Sequence, residues 1–574
     1  MYVETIPNRS SPPAILLRES IRDGKTVHKR TLANLSDWPA AQVEDLRRVL
    51  RGERMGVKPD EAFAITRSLP HGHVQAVLGT IHELGLEGML ASKRCRERDL
   101  VLAMIAARVL FPASKLDTCK RWMDCTLAEE LGVADADEDE LYDALDWLLE
   151  RKDSIEKKLA GKHLKEGASV LYDLSSSFYY GTHCELAKFG HNRDGKNGLP
   201  IIVYGVLASS AGCPVAAEVY AGNTSDPKTM TDQVQKLRDK FGTGRVVLVG
   251  DRGSLTSTNI ESLKDCPQLG WIGALRSEAI RRLVEQKVIQ PSLFDKQNLA
   301  EISSPDYPNE RLVACFNPLL AEERKRKRQE LLSATETQLR KIEAEVARRT
   351  RTPLKATQIA MKAGKVVNKF KMAKHFELNI KEGSFSYVRK AQAIELEQQL
   401  DGIYVVRTSE KGESWPAGEV VRGYKDLSHV ERAFRCIKGV DLKVRPIWLR
   451  TEDHVKAHVF LCVLAYYVEW HMRRALAELL YADEELEAKR SNRDPVLPTE
   501  PSESALAKKA THRTERGLHV QTFGALLADL ATLARNTCRV KNTPDGNTFV
   551  LHTDSTYLQK RAFELLGLYP VAGK

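Results

Sequence analysis

Two apolar, β-branched runs in this chain of 574 residues each lead into an aspartate. Ala-Ser-Val-Leu-Tyr (168–172) precedes Asp173, and Arg-Val-Val-Leu-Val-Gly (245–250) precedes Asp251, after which the chain reads Arg-Gly-Ser. A carboxylate at the mouth of a buried strand is expensive to desolvate unless a helix start, an ion pair or a metal compensates it. If the two strands are adjacent and parallel, the acids meet at their carboxyl ends, where open α/β sheets keep their sites. Two carboxylates so close repel each other; a divalent cation relieves this and takes both as hard oxygen ligands. Each acid alone also has a plainer reading: Asp251 caps the next helix, and Asp173 makes an Asx-turn with Ser175 and Ser176. The pairing favours the metal.

A third acid stands in Gly-Tyr-Lys-Asp-Leu-Ser-His-Val-Glu-Arg-Ala-Phe-Arg-Cys-Ile-Lys (423–438). On a helix from about Ser428, Glu431, Arg435 and Lys438 share one face, and Phe434 and Ile437 point to the core. A carboxylate with two cations above it suits a metal bound to a phosphodiester: the acid holds the ion, the cations hold phosphate oxygens. Against this stand a capping box, Ser428-x-x-Glu431, and a simple Glu–Arg pair one turn apart. Asp226, in Gly-Asn-Thr-Ser-Asp-Pro, is read as the cap of a helix beginning at Pro227.

These acids need elements to carry them. Residues 14–35 read as a β-hairpin about Asp23-Gly24. From 55 to 165 the pattern is helical, with a buried helix at 100–111 stopped by Pro112, a cap at Ser114, and an amphipathic helix at 140–152. Three strands follow between 168 and 221, with turns at Arg193-Asp194-Gly195 and Ser210-Ala211-Gly212. Helices from about Thr229 to Lys240 and Ser257 to Lys264 then flank the second aspartate-bearing strand. Hairpin connections make the first part of this sheet antiparallel, and helical crossovers make the second part parallel.

Residues 281–415 interrupt the pattern. Leu332, Thr335, Leu339, Ile342 and Val346 recur as in a short coiled coil, near Arg-Lys-Arg-Lys-Arg (324–328), and a strand follows at 402–408. An apolar helix occupies about 452–480, a Pro/Ser/charge-rich linker 487–504, and a last strand 548–553.

A chain this long calls for several domains. No segment at the N-terminus resembles a signal peptide, and the most apolar run, Val459 to Val468, is about half of a membrane span. A cytoplasmic protein with no membrane partner is expected. The ten cysteines are scattered without Cys-x-x-Cys spacing, so neither a zinc framework nor disulfides are expected. Net charge is +10, yet residues 321–390 alone hold 19 Lys/Arg against 8 Asp/Glu. So local a surplus fits a polyanion, nucleic acid above all, with a solvated helix face as the alternative.

Two strand-borne aspartates and a distal helical glutamate resemble the acidic triad of DDE transposases, whose catalytic core has the ribonuclease H-like fold. The helix about Glu431 is similar to the Tyr–Arg–Glu–Lys signature of the IS-four superfamily of bacterial insertion-sequence transposases. That signature sets Tyr seven residues before the Glu and Lys seven after it, the positions of Tyr424 and Lys438. Its Arg, four before the Glu, is Leu427 here, with Arg432 and Arg435 as substitutes. Tyr-Asp-Leu-Ser-Ser-Ser-Phe-Tyr-Tyr-Gly, Gly-Asp-Arg-Gly, the run from Phe-Gly-His-Asn-Arg through Val-Tyr-Ala-Gly-Asn-Thr-Ser-Asp, and Lys-Val-Arg-Pro-Ile-Trp also resemble the family. The 179 residues between Asp251 and Glu431 match its habit of inserting a domain there.

The resemblance implies an α/β (mixed) fold: a ribonuclease H-like catalytic core with a mixed five-stranded sheet. The expected organisation is an N-terminal hairpin region (1–54), a helical, DNA-binding region (55–165), the core in two parts (166–280 and 416–482) about a basic insertion domain (281–415), and a linker with a small C-terminal region (483–574). It implies that Asp173, Asp251 and Glu431 are catalytic and hold two Mg²⁺ or Mn²⁺ ions, and that Tyr424, Arg432, Arg435 and Lys438 contact DNA. The activity implied is cutting at the terminal inverted repeats of an insertion sequence and joining the 3′-hydroxyls to target DNA, by a homodimer on double-stranded DNA. A ribonuclease H-like nuclease without strand transfer and a non-catalytic DNA-binding derivative are the alternatives.

Overall fold

Strand propensity and turn chemistry at the N-terminus build what the sequence suggests, and slightly more. The computed structural model describes residues 1–9, 11–53, 62–191, 198–241, 244–264, 266, 268–541 and 547–569, in two units. The turn expected at Arg193-Asp194-Gly195 lies outside the described residues. In the first unit, residues 1–69 with 534–553, β1 (Tyr2–Ile6), β2 (Ala14–Asp23) and β3 (Thr26–Asn34) form an antiparallel sheet. The β2–β3 turn uses Gly24 at φ +60°, which glycine reaches without steric penalty.

The same unit contains β4 (Phe63–Pro70), a strand where helix was expected. It joins β15 (Ala534–Val540) and β16 (Thr548–His552) in a three-stranded sheet ordered β16-β15-β4. Its partner comes from the other end of the chain, so no local pattern reveals the pairing. The expected small C-terminal region is accordingly divided: residues 534–553 belong with the N-terminal strands.

The second unit begins with helices that follow the sequence closely. α1 (Arg96–Leu110) is buried almost all round and ends before Pro112. Ser114 Oγ accepts from Asp117 N at 3.1 Å, capping α2 (Lys115–Arg121). α3 (Glu138–Glu150) and α4 (Lys152–His163) lead to the sheet.

That sheet has eight strands rather than five. β5 (Ser169–Phe178), β6 (Ile201–Ser209) and β7 (Pro214–Ala221) are antiparallel; α5 (Asp226–Gln235) then crosses to β8 (Val246–Gly250), and α6 (Ser257–Lys264) to β9 (Leu269–Ala274). β8 is parallel to both β5 and β9. Three further strands, β10 (Leu299–Ile302), β11 (Arg311–Phe316) and β14 (Ile403–Thr408), extend the edge antiparallel, in the order β10-β11-β14-β9-β8-β5-β6-β7. The insertion thus begins and ends inside the sheet. β9 would otherwise be an exposed edge with unpaired backbone groups, and β14 covers it.

Between β11 and β14 the chain builds a separate small core. α7 (Pro318–Arg348) buries Leu332, Thr335, Leu339, Ile342 and Val346. Their partners are α8 (Ala356–Lys369) and the hairpin of β12 (Phe376–Lys381) and β13 (Ser384–Arg389), not a second coil-forming helix. The stripe is the inner face of an ordinary amphipathic helix.

α9 (Ala417–Lys425), α10 (Leu427–Arg435) and the buried α11 (Glu452–Ala475) complete the main core. Beneath β7, Glu156 of α4 is fully buried between Lys152 at 3.0 Å and Lys236 at 2.6 Å, and it accepts the Ala217 N–H at 2.9 Å. No helix among the described residues is long and apolar enough to cross a membrane.

Candidate active site

β5 is buried at nine of its ten positions, and the exception is Asp173. The strand does not end there: its ladder with β6 continues from Val170 to Phe178, so the serines expected in an Asx-turn are strand residues. What ends is its other neighbour. β5 and β8 are paired from Ser169↔Val247 to Tyr172↔Gly250, after which β8 stops and Asp251 follows. Asp173 therefore stands at the step in the sheet where β8 gives out, beside the start of the β8–α6 turn.

That turn is organised by Asp251 itself. Its Oδ1 accepts from Gly253 N at 3.0 Å, Ser254 N at 2.8 Å and Ser254 Oγ at 2.7 Å. These bonds close an Asx-type turn ahead of α6, whose cap position is Thr256, with Oγ1 accepting from Asn259 N at 3.4 Å. Asp251 therefore holds the turn rather than capping the helix, and one oxygen carries all of its bonds. Asp173 Oδ1 accepts from its neighbour Leu174 N at 2.8 Å.

Asp226 also reaches this place. It is the first residue of α5, with Ser225 rather than Asp226 at the cap position. A side chain at Gly253 would begin 3.4 Å from both Asp251 carboxylate oxygens and 3.6 Å from Asp226 Oδ2, so the two acids flank one spot. Its nearness to Asp251 depends on how α5 crosses the sheet, which spacing does not disclose.

Glu431 arrives on α10. Val430, Ala433, Phe434 and Ile437 are buried, while Glu431, Arg432 and Arg435 are exposed, the division expected from the helical period. Phe434 meets Tyr204 of β6 edge-on, with ring centroids 5.9 Å apart. His429 Nδ1 lies 2.9 Å from the Ser210 carbonyl oxygen in the β6–β7 turn. That turn comes so near α10 that a Cβ on Gly212, at φ +84°, would be 2.7 Å from His429 Cβ. Asp426, not Ser428, precedes the helix, and no side chain caps it, so the capping box does not form. A π-helical turn, Cys436–Val440, follows and carries Lys438. Its i→i+5 spacing displaces the half-buried Lys438 from a straight stripe above Glu431 and Arg435.

Tyr424, at the end of α9, connects the acids. Burial raises its phenol above the usual value, the Arg252 guanidinium opposes that rise, and the Asp251 and Glu431 carboxylates add to it. One hydroxyl thus lies in the field of both acids, and Arg252 is a neighbour that spacing alone did not single out. Sets of three metal-ligating atoms within 4.8 Å occur among the described residues at His163/Cys213/His471 and Cys436/Asp441/Glu469. Asp173, Asp251 and Glu431 are spaced more widely than this. In the second set, Arg473 Nε already pairs with Glu469 at 2.5 Å.

Residues 185–468 match the family described as transposase DDE domain. The matched stretch holds Asp226, Asp251, Tyr424 and Glu431, whereas Asp173 precedes it. No curated protein matches the chain. Among solved structures, the piggyBac transposase synaptic complex with hairpin DNA is similar over 77% of this chain and 87% of that one, at 11% identity and a TM-score of 0.30.

Proposed function

We propose that this protein is a DNA transposase that cuts a phosphodiester at the ends of an insertion sequence and joins the freed 3′-hydroxyl to target DNA. The observation that carries the reading is the meeting of acids where β8 ends: Asp173 and Asp251 follow the last paired residues of two parallel strands, and Tyr424 senses both Asp251 and Glu431. The match of 185–468 to the transposase DDE domain supports it.

The donor set fits divalent metal. All three side chains offer hard carboxylate oxygens, and the turn bonds of Asp251 fall on Oδ1, leaving Oδ2 outside them. Mg²⁺ or Mn²⁺ held by Asp173, Asp251 and Glu431 would activate an attacking oxygen and stabilise the leaving one in an in-line displacement. Arg432 and Arg435, exposed beside Glu431, would hold phosphate oxygens, and Lys438 would add charge from the next turn. Tyr424 stays protonated and donates to the strand near the cut. Double-stranded DNA is the partner, and two copies of the chain on two ends the working assembly.

The test is cleavage and joining of DNA carrying the element's terminal repeats, with Mg²⁺ and with EDTA. Metal-dependent nicking followed by joining of a pre-cut 3′-hydroxyl end supports the proposal. Nicking without joining reduces it to a nuclease, and metal-independent or absent nicking overturns it.

A further inference from the structure

A second place in the main unit also asks for an anion. A cavity of about 680 Å³ lies between the α1–α2 corner, α3, the segment Lys443–Thr451 and the start of α11. Five arginines and lysines line it, against one carboxylate, Glu138. Two of the cations are in its wall rather than at its rim: Arg108 and Lys115 are each only 5% exposed, and neither side chain makes a hydrogen bond or ion pair among the described residues. Burying charge without a partner is strongly unfavourable, so two such neighbours point to a ligand that supplies the missing negative charge. Their fields are felt nearby. Burial and the charge of Arg108 push the Lys115 ammonium down to about 7. Burial, Lys115 and Arg108 together hold His458 well below its ordinary value.

The mouth is aromatic. Trp448 is 60% exposed and leans on Tyr180, with ring centroids 5.5 Å apart. Buried cations beneath an exposed indole match the combination by which proteins hold unpaired nucleic acid: charge for the phosphate and a ring for the base. The volume lies within the range of small-molecule sites and is too small for a duplex.

We propose that this cavity binds one nucleotide, with its phosphate on Arg108 and Lys115 and its base against Trp448. The nucleotide is either part of an unpaired DNA strand or free in solution. The first source rests on the function proposed above, and the fold links the two places: Tyr180 N donates to Ile447 O at 3.0 Å, and Ile447 also bridges Tyr179. Tyr179 is six residues along from Asp173, roughly 20 Å of strand. A DNA strand a few nucleotides long would reach from one place to the other.

The test uses the full chain in EDTA, so that nothing is cut, and follows the anisotropy of a labelled short oligo(dT) and of a duplex of equal length. Trp448→Ala, an exposed change that leaves the fold intact, should weaken oligo(dT) binding about 5- to 150-fold, the range for one stacked base. Lys115→Met, confirmed folded by circular dichroism, should weaken it at least about tenfold, as the loss of a charged hydrogen bond does. Competition by thymidine monophosphate at low concentration assigns the site to a free nucleotide, and failure to compete assigns it to DNA. Unchanged oligo(dT) affinity in both variants overturns the proposal, as does an equal loss for duplex. Neither result depends on cleavage, so a protein that cuts and joins DNA yet fails here keeps its catalytic reading and loses only this site.

Discussion

Asp173 and Asp251 each stand one residue beyond the Tyr172–Gly250 pair that closes the parallel ladder between β5 and β8. The ladder fixes them side by side, while Asp251 also holds the turn that follows. The two duties of Asp251 separate on mutation. Asp251→Asn keeps an oxygen for Gly253 N and Ser254, so its melting temperature should stay near that of the parent, while metal-dependent cleavage falls by more than the roughly 10- to 100-fold typical of lost supporting groups. Asp251→Ala leaves the turn donors without their acceptor as well and should unfold about 1–3 kcal/mol more easily. Full cleavage by the Asn variant would remove Asp251 from the metal set.

The basic run 324–328 divides in the same way. Arg328 is buried and its guanidinium pairs with Asp401, Nη1 to Oδ1 at 3.3 Å. Arg328→Ala strands that carboxylate and should destabilise the inserted core by about 3–5 kcal/mol in urea unfolding. Arg324 and Lys325 form no ion pair with an acid among the described residues, whereas Arg326 and Lys327 meet Glu330 and Glu323. Changing Arg324 and Lys325 to Gln should leave stability alone and lower the salt slope of DNA binding by about 0.9 for each phosphate no longer neutralised. An unaltered slope takes this helix out of the DNA interface.

Glu156 gives a prediction about the core alone. It is wholly buried against Lys152, Lys236 and the Ala217 N–H. Glu156→Ala leaves two buried ammonium groups with Glu218 as their one acidic ion-pair partner among the described residues, and a loss of about 3–5 kcal/mol is expected. A variant as stable as the parent in chemical denaturation would show that water reaches this network.

Stability should also fall in mild acid. Burial first, then neighbouring cations, bring His163 and His471 down to about 4, and their rings are 5.5 Å apart. The unfolded chain takes up protons below its ordinary histidine value near 6.5, while the folded chain does so only near 4. Their contribution is therefore complete above about 6.5, declines as the pH drops toward 4, and is level below that. At pH 5 each loses at most about 2 kcal/mol. Urea midpoints of the parent and of His163→Gln at pH 7 and pH 5 check this; equal pH dependence in both excludes His163 as a source.

Local pattern was enough for much of this. The helix stopped by Pro112, the next one capped by Ser114, the parallel pairing of the two strands that lead into Asp173 and Asp251, and the buried face of Phe434 and Ile437 all follow from periodicity and turn chemistry, which act over a few residues. That β5 runs on past Asp173 to Phe178 does not, because β6 supplies that ladder. Pairings made across long stretches of chain were not legible. β4 looks like part of a helical region until β15 supplies its partner, and β10, β11 and β14 look like an insert until β9 offers them an edge. Arg328 reads as one more surface cation in a basic run, because only the fold brings Asp401 to it. Asp226 and Arg252 were visible as residue types, and it is the crossing of α5 and α9 over the sheet that brings them to Asp251 and Tyr424.

The inserted segment leaves and re-enters the sheet at almost the same point: Asn317 N donates to Gly402 O at 2.9 Å, just beyond the Phe316–Ile403 pair. Everything from α7 to β13 hangs from that clasp, and the strands on either side already hold its two ends together. Closing a longer or shorter excursion there adds little entropy difference, because such terms grow only with the logarithm of length. The acids on β5, β8 and α10 are thus insulated from whatever is tethered between them, and lengthening or trimming that appendage should leave their arrangement as it is.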